Sequence, residues 1–112
     1  MVKKQDKNFY FASDITFNRI VDLVSKECKV SADKILSNNR NAYTEYPRRI
    51  ILYLSNTLLN LSYDEIAKNL IGKDKTGVKA GVQYISCVLR TENSKGKHTR
   101  KILDRIISSL FS

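Results

Sequence analysis

SYDEIAKNLIGKDKTGVKAGVQYISCVL, running from Ser62 to Leu89, is the stretch on which the fold turns. It opens with Ser62-Tyr-Asp-Glu65, a capping box. The Ser62 hydroxyl can accept from the Glu65 backbone N–H while the Glu65 carboxylate reaches back to the Ser62 N–H. A short helix follows, with Ile66, Ala67 and Leu70 facing in. It breaks at Ile71-Gly72, where glycine can take the positive φ of a sharp turn. Asp74 then offers a short acid that caps a second helix and complements the positive end of its dipole. Val78, Val82, Ile85 and Leu89 recur at i, i+4, i+7 and i+11, the apolar stripe of a helix running to about Arg90. A short capped helix, a glycine-containing turn and a longer amphipathic helix make a helix-turn-helix by pattern.

Working outward, the periodicity stays helical. Ser13 or Asp14 is expected to cap a first helix, with Ile15, Ile20, Val21, Leu23 and Val24 inward, ending near Cys28. Ser31 caps a short second helix to Leu36. Ser37 to Thr44 is rich in Asn and Ser, which favour turns, and is read as a loop carrying Arg40. Pro47 suits the first turn of a helix, expected from Arg48 to Leu59 with Ile50, Ile51, Leu54, Leu58 and Leu59 buried. After Arg90, Thr91 to Lys97 reads as a polar connection and His98 as part of a solvated turn. The last helix, about Thr99 to Phe111, packs Ile102, Leu103, Ile106, Ile107 and Leu110. No segment has strand periodicity. The expected fold class is all-α, a compact helical domain of about six helices. Residues 1–12 form a polar N-terminal arm and 13–112 a single domain.

Composition agrees with one small domain: 112 residues, 42% hydrophobic, with six Tyr and four Phe for a modest core. Twenty Lys and Arg against eleven Asp and Glu give a net charge of +9 and a pI near 9.7. A pI above ~9 is the electrostatic footprint of a polyanion binder; a basic surface serving only solubility is the competing reading. The longest apolar run, Ile50 to Leu54, is far short of the ~20 residues that span a bilayer, so no membrane association is expected. The polar start, Met1 to Lys7, lacks the apolar segment of a secretory signal. A cytoplasmic protein is expected, with Cys28 and Cys87 reduced and behaving as small buried hydrophobes. His98, the one histidine, has no Cys, Asp or Glu cluster around it to form a metal site. With no nucleophile–base pair and no paired carboxylates, no enzymatic activity is expected.

The surface of the second helix of the motif is chemically specific. With Val78 at the centre of the buried stripe and ~100° per residue, Lys75, Lys79 and Gln83 form a row at one side while Thr76 and Ala80 point away. Lysine can donate to guanine O6 and N7, glutamine can pair with adenine, and a Thr or Ala methyl can meet the thymine methyl. A solvated lysine face is the competing reading. Arg40, on a loop before a helix, is suited to a narrow A·T-rich minor groove. Arg48, in a first turn, could grip phosphate. For either arginine, ordinary solvation competes.

From Ser25 to Ile85 the sequence resembles the C-terminal DNA-binding domain of the bacterial replication initiator DnaA. The resemblance runs through Ile35-Leu-Ser37, Arg40, Pro47-Arg48, Leu54, Leu58, Ser62, Glu65-Ile66, Gly72-Lys-Asp-Lys-Thr76, Val78 and Ile85, and extends more loosely over 13–111. It implies a helical fold similar to Trp repressor, with double-stranded DNA as partner, in replication initiation or its regulation or in transcription control. Position by position, it implies that Arg40 enters the minor groove, that Asp74, Lys75 and Thr76 read bases in the major groove after the basic Lys73, and that Arg48, Tyr63 and Asp64 approach the DNA backbone. Lys79 and Gln83 extend that face. The chain departs from the family signature at Lys75, where a histidine is usual, at Gly77, where a threonine is usual, and at Lys73, where an arginine is usual. Ala42 stands where a further cation is common. A flexible point charge for a planar ring, and a lost hydroxyl and methyl, imply a changed base preference. The Gly-Lys pairs lack the spacing of a phosphate-binding loop, so no nucleotide and no other cofactor is expected. The chain reads as an excised domain or a stand-alone paralogue, with self-association or contact with other DNA-bound proteins as further partners. The alternative is a protein-interaction module that kept the fold and binds DNA weakly and without sequence preference.

Overall fold

Local capping chemistry sets most helix boundaries. In the computed structural model, which describes residues 16–37, 42–69 and 74–111, Thr16 caps the first helix by accepting from the Arg19 N–H at 3.2 Å. Ser13, Asp14 and Ile15 lie outside the described residues, as does the 1–12 arm. Helix α1 (Phe17–Cys28) buries Ile20, Val21 and Val24 and closes on Lys29, held in the left-handed region at φ 59° with its N–H on the Ser25 carbonyl. Ser31 caps α2 (Ala32–Leu36), as its hydroxyl suggested.

Helix α3 (Ala42–Leu58) starts earlier than expected, so that Pro47 sits inside it. A proline there has no N–H for the Tyr43 carbonyl. Tertiary contacts hold the turn: Thr44 is fully buried, and the Tyr46 hydroxyl meets that of Thr99 on the last helix at 2.5 Å. Helix α4 (Tyr63–Ala67) carries both bonds of the capping box, Glu65 N–H to Ser62 Oγ at 3.1 Å and Ser62 N–H to Glu65 Oε1 at 2.8 Å. Leu70 and Gly72 lie outside the described residues. Helix α5 (Lys75–Leu89) is capped by Asp74 and ends at Arg90, both as expected.

Helix α6 (Ser94–Leu110) corrects the reading of its N-terminal side. Asn93 caps it by accepting from the Gly96 N–H at 3.0 Å, so Lys95 to Thr99 is helix rather than turn. Gly96 belongs there because α6 turns tightly away from α5. A Cβ at this position would sit 2.5 Å from the Thr91 carbonyl oxygen and 2.9 Å from that of Val88. Arg100 locks the same corner by donating to the Leu89 and Thr91 carbonyls at 2.8 and 2.9 Å.

Helix α3 organises the interior. Ile50, Ile51 and Leu54 join α1, α2 and α6 in the larger cluster, with Ile35, Ile85, Ile102 and Ile106. Leu52, which the sequence reading left out, turns to the other side and packs with Ile66, Val78 and Val82. The helix-turn-helix thus has a small core of its own, seated on α3. Gly81 permits the close approach: a Cβ there would meet Leu52 Cδ1 at 2.5 Å. Among the described residues there are six helices and no strand, and no helix is long and apolar enough to cross a membrane. Both cysteines are free, but Cys87 is exposed rather than buried.

Candidate nucleic-acid interface

Three helix ends meet at one place on the surface. The C-terminal part of α3 brings Asn56, the start of α4 brings Ser62, Tyr63 and Asp64, and the start of α5 brings Lys75. Together they line a shallow cleft of about 290 Å³. The α3–α4 turn that aligns them is held by Asn56 Nδ2 donating to the Leu61 carbonyl at 3.0 Å, and Asn60 takes φ 57° within it.

Asp74, Lys75, Thr76, Lys79 and Gln83 are all exposed, while Val78 and Val82 directly beneath them are buried. The expected reading row is therefore presented to solvent by its own apolar stripe. Asp74 is the N-cap of α5. Its Oδ1 accepts from the Gly77 N–H at 2.8 Å. Tyr63 is half-buried, packed against the small core of the motif, and lines the cleft. The same face of α5 continues through Cys87 and Arg90, both exposed, with no acid between Lys75 and Arg90. Neither stood out in the sequence. Arg90 follows the last apolar residue of the stripe, and Cys87 was taken for core.

Arg40 and Lys73, assigned to the minor groove and to the basic approach, lie outside the described residues. Arg48 corrects its assignment. Its side chain is 2% exposed. The guanidinium donates from Nε to the Ile35 carbonyl at 2.8 Å and from Nη2 to the Ser37 carbonyl at 3.0 Å, and pairs through Nη1 with Glu45 Oε1 at 2.5 Å. These bonds tie the end of α2 to α3, and the charge does not face outward. The cation that does reach the surface is its neighbour Arg49, 34% exposed, set over the Tyr84 ring at 4.2 Å and 3.7 Å from Glu45 Oε2. Arg48 shares a helical row with Thr44 and Leu52, four residues before and after it, and it is the burial of those two that separates it from Arg49.

The electrostatics are simple. The Glu65 carboxyl is held below its usual range, first by the Ser62 backbone N–H and then by the Ser62 hydroxyl. The Tyr46 phenol is pushed up, chiefly by burial. Burial, with Glu27 beside it, pushes the Cys28 thiol up to about 11. Among the described residues no group of three or more His, Cys, Asp or Glu could hold a metal ion.

This arrangement has known relatives. Residues 17–85 match the sequence profile of a family described as the bacterial dnaA protein helix-turn-helix. The chain is 31% identical over 96 residues to the chromosomal replication initiator protein DnaA of Helicobacter hepaticus, covering 86% of this chain and 20% of that protein. It is 34% identical over 93 residues to the protein of the same name from Rhizobium meliloti, covering 80% of this chain and 19% of that protein. The chain thus spans about a fifth of the length of these relatives.

Proposed function

The chain belongs to the bacterial DnaA helix-turn-helix family, and from that premise we propose that it binds double-stranded DNA with sequence preference, in replication initiation or its regulation. The observation that carries this reading is the face of α5. Lys75, Thr76, Lys79 and Gln83 stand exposed over buried Val78 and Val82, at the end of α5 that follows the capped helix α4. Lysines there can donate to guanine and Gln83 can pair with adenine. The net charge of +9 supplies attraction to phosphates irrespective of sequence.

The reading divides the labour. Asp74, Lys75, Thr76, Lys79 and Gln83 address base edges, Arg40 addresses the minor groove, and Lys73, Tyr63 and Arg49 stand toward the backbone. The departures at Lys75 and Gly77 change which bases are preferred.

A selection of bound duplexes from a random pool at near-physiological salt tests it. An enriched motif bound ~10³-fold or more above a scrambled duplex is the expected result. No enrichment, with weak binding that collapses as salt rises, would refute sequence-specific reading and favour the interaction-module alternative.

A further inference from the structure

The opposite end of α3 carries a second concavity, of about 310 Å³, that the DNA reading does not use. Its walls come from α1 (Glu27, Cys28), α3 (Tyr43, Tyr46, Pro47) and α6 (His98, Ile102). Pro47 and Asn56, one in each concavity, are nine residues apart on α3, or ~14 Å along its axis at 1.5 Å per residue.

This groove is built from fixed parts. Tyr43 is 62% exposed, yet its hydroxyl is anchored to the Lys29 carbonyl at 3.3 Å, which holds the ring at the rim. Tyr46 is anchored through the buried Thr99 hydroxyl and stacks on the His98 ring at 6.5 Å with 17° between planes. Aromatic walls pinned at their polar ends have little rotamer freedom left to lose when something binds between them.

Cations outnumber carboxylates around it. Lys29 is exposed beside Cys28 and Tyr43. Lys95 Nζ donates to the Tyr84 hydroxyl and lies 5.8 Å from the Tyr46 ring centre. Lys97 and Lys101 are exposed one turn apart, on either side of His98 in α6. The carboxylate in the wall, Glu27, is bonded to Arg105 Nε at 2.9 Å. The first turn of α6 contains no acid, although cations near a helix N-terminus oppose its dipole and Lys97 and Lys101 repel at i, i+4. An anionic partner would relieve that arrangement.

We propose that this groove docks an acidic segment of a partner protein, with one aromatic or aliphatic side chain seated against Pro47 and Ile102 between Tyr43 and Tyr46, and its carboxylates on Lys29, Lys95 and Lys101. The floor favours a side chain over a nucleobase. A base has donors and acceptors around its edge, and an apolar floor would leave them unpaired; a Phe or Leu side chain leaves none. The site does not depend on the α5 face, so a duplex and a partner could be held by one molecule.

The test is to pan a phage-displayed library of random 12-mer peptides against the full chain and to measure the winners by fluorescence anisotropy. The expected winners carry one aromatic or leucine residue flanked by Asp and Glu. Their binding should fall about tenfold or more in Tyr43→Ala and in Lys101→Glu, both at exposed positions, and should be unchanged in Lys75→Ala. Circular dichroism of each variant confirms the fold. Absence of an enriched motif, winners without acidic residues, or binding unaffected by both rim variants would overturn the proposal. So would a (dT)12 oligonucleotide binding through Tyr43, which would give the groove to single-stranded nucleic acid. Loss of duplex recognition in other experiments leaves this outcome untouched.

Discussion

Arg48→Met separates an interior role from a DNA-contacting one. Methionine roughly matches the length of the arginine stem, so the chief loss is the guanidinium. Its bonds to the Ile35 and Ser37 carbonyls and to Glu45 disappear from a side chain 2% exposed. The Ile35 side chain beside it is fully buried. A carbonyl stripped of its partner in such a place costs about 1–3 kcal/mol, and removing one partner of a buried charge pair costs about 3–5 kcal/mol. Glu45 is 20% exposed and can turn to water, which removes most of the charge-pair cost, so the total is expected at about 3–4 kcal/mol. In a domain of this size 1 kcal/mol moves Tm by about 4 °C, so thermal unfolding followed by circular dichroism should show a drop of about 12–16 °C. Duplex affinity measured well below the transition should change little. A stability loss under about 1 kcal/mol, accompanied by a uniform drop in affinity for all duplexes and a shallower salt dependence, would refute the interior role and restore Arg48 to the phosphate backbone.

Gly96→Ala should destabilise the chain by more than the ~1 kcal/mol that better helix propensity returns, because its Cβ would press on the Thr91 and Val88 carbonyls; urea unfolding with an unchanged slope checks it. Lys29→Gly removes the left-handed strain at φ 59° and should raise stability by up to about 1 kcal/mol in the same assay. Near pH 8 a maleimide should label exposed Cys87 well before Cys28, whose thiol stays protonated up to about 11; bound duplex should slow labelling of Cys87, read by mass spectrometry. The raised Cys28 pKa also carries a sign: its contribution to stability is complete below pH 9, the ordinary thiol value, and is lost as pH rises through 11. Cys28→Ser should flatten that alkaline decline in thermal unfolding. Lys75→Ala or Thr76→Ala should cost roughly 1–3 kcal/mol on the best duplex and erase preference at one base position, measured by titration against single-base variants.

Where structure depends on atoms a few residues apart, the sequence was sufficient. Ser31, Ser62 with Glu65, and Asp74 each satisfy orphan N–H groups within their own first turn, and all three cap as read. The stripe Val78, Val82, Ile85 is buried as its spacing requires, and from it follows the exposure of Lys75, Thr76, Lys79 and Gln83. The helical class and the helix-turn-helix follow from the same short-range rules, so the exposed basic face of α5 was legible from the chain alone.

Only the tertiary structure decided which of two adjacent arginines is interior. Arg48 and Arg49 have equal charge and propensity, and they differ by 100° of helix rotation; α2 ends beneath one and Tyr84 of α5 lies beneath the other. The same holds for Gly96, whose place inside α6 rests on the nearness of α5, and for the start of α3, where contacts from Thr99 and the buried Thr44 outweigh the local preference of Pro47 to begin a helix. Capping and periodicity are settled by bonds reaching three or four residues along the chain, whereas burial of a charge or close approach of two backbones depends on how separate helices pack. The sequence pattern therefore specifies each helix and its inner face, and packing against α3 specifies which polar groups are taken inside.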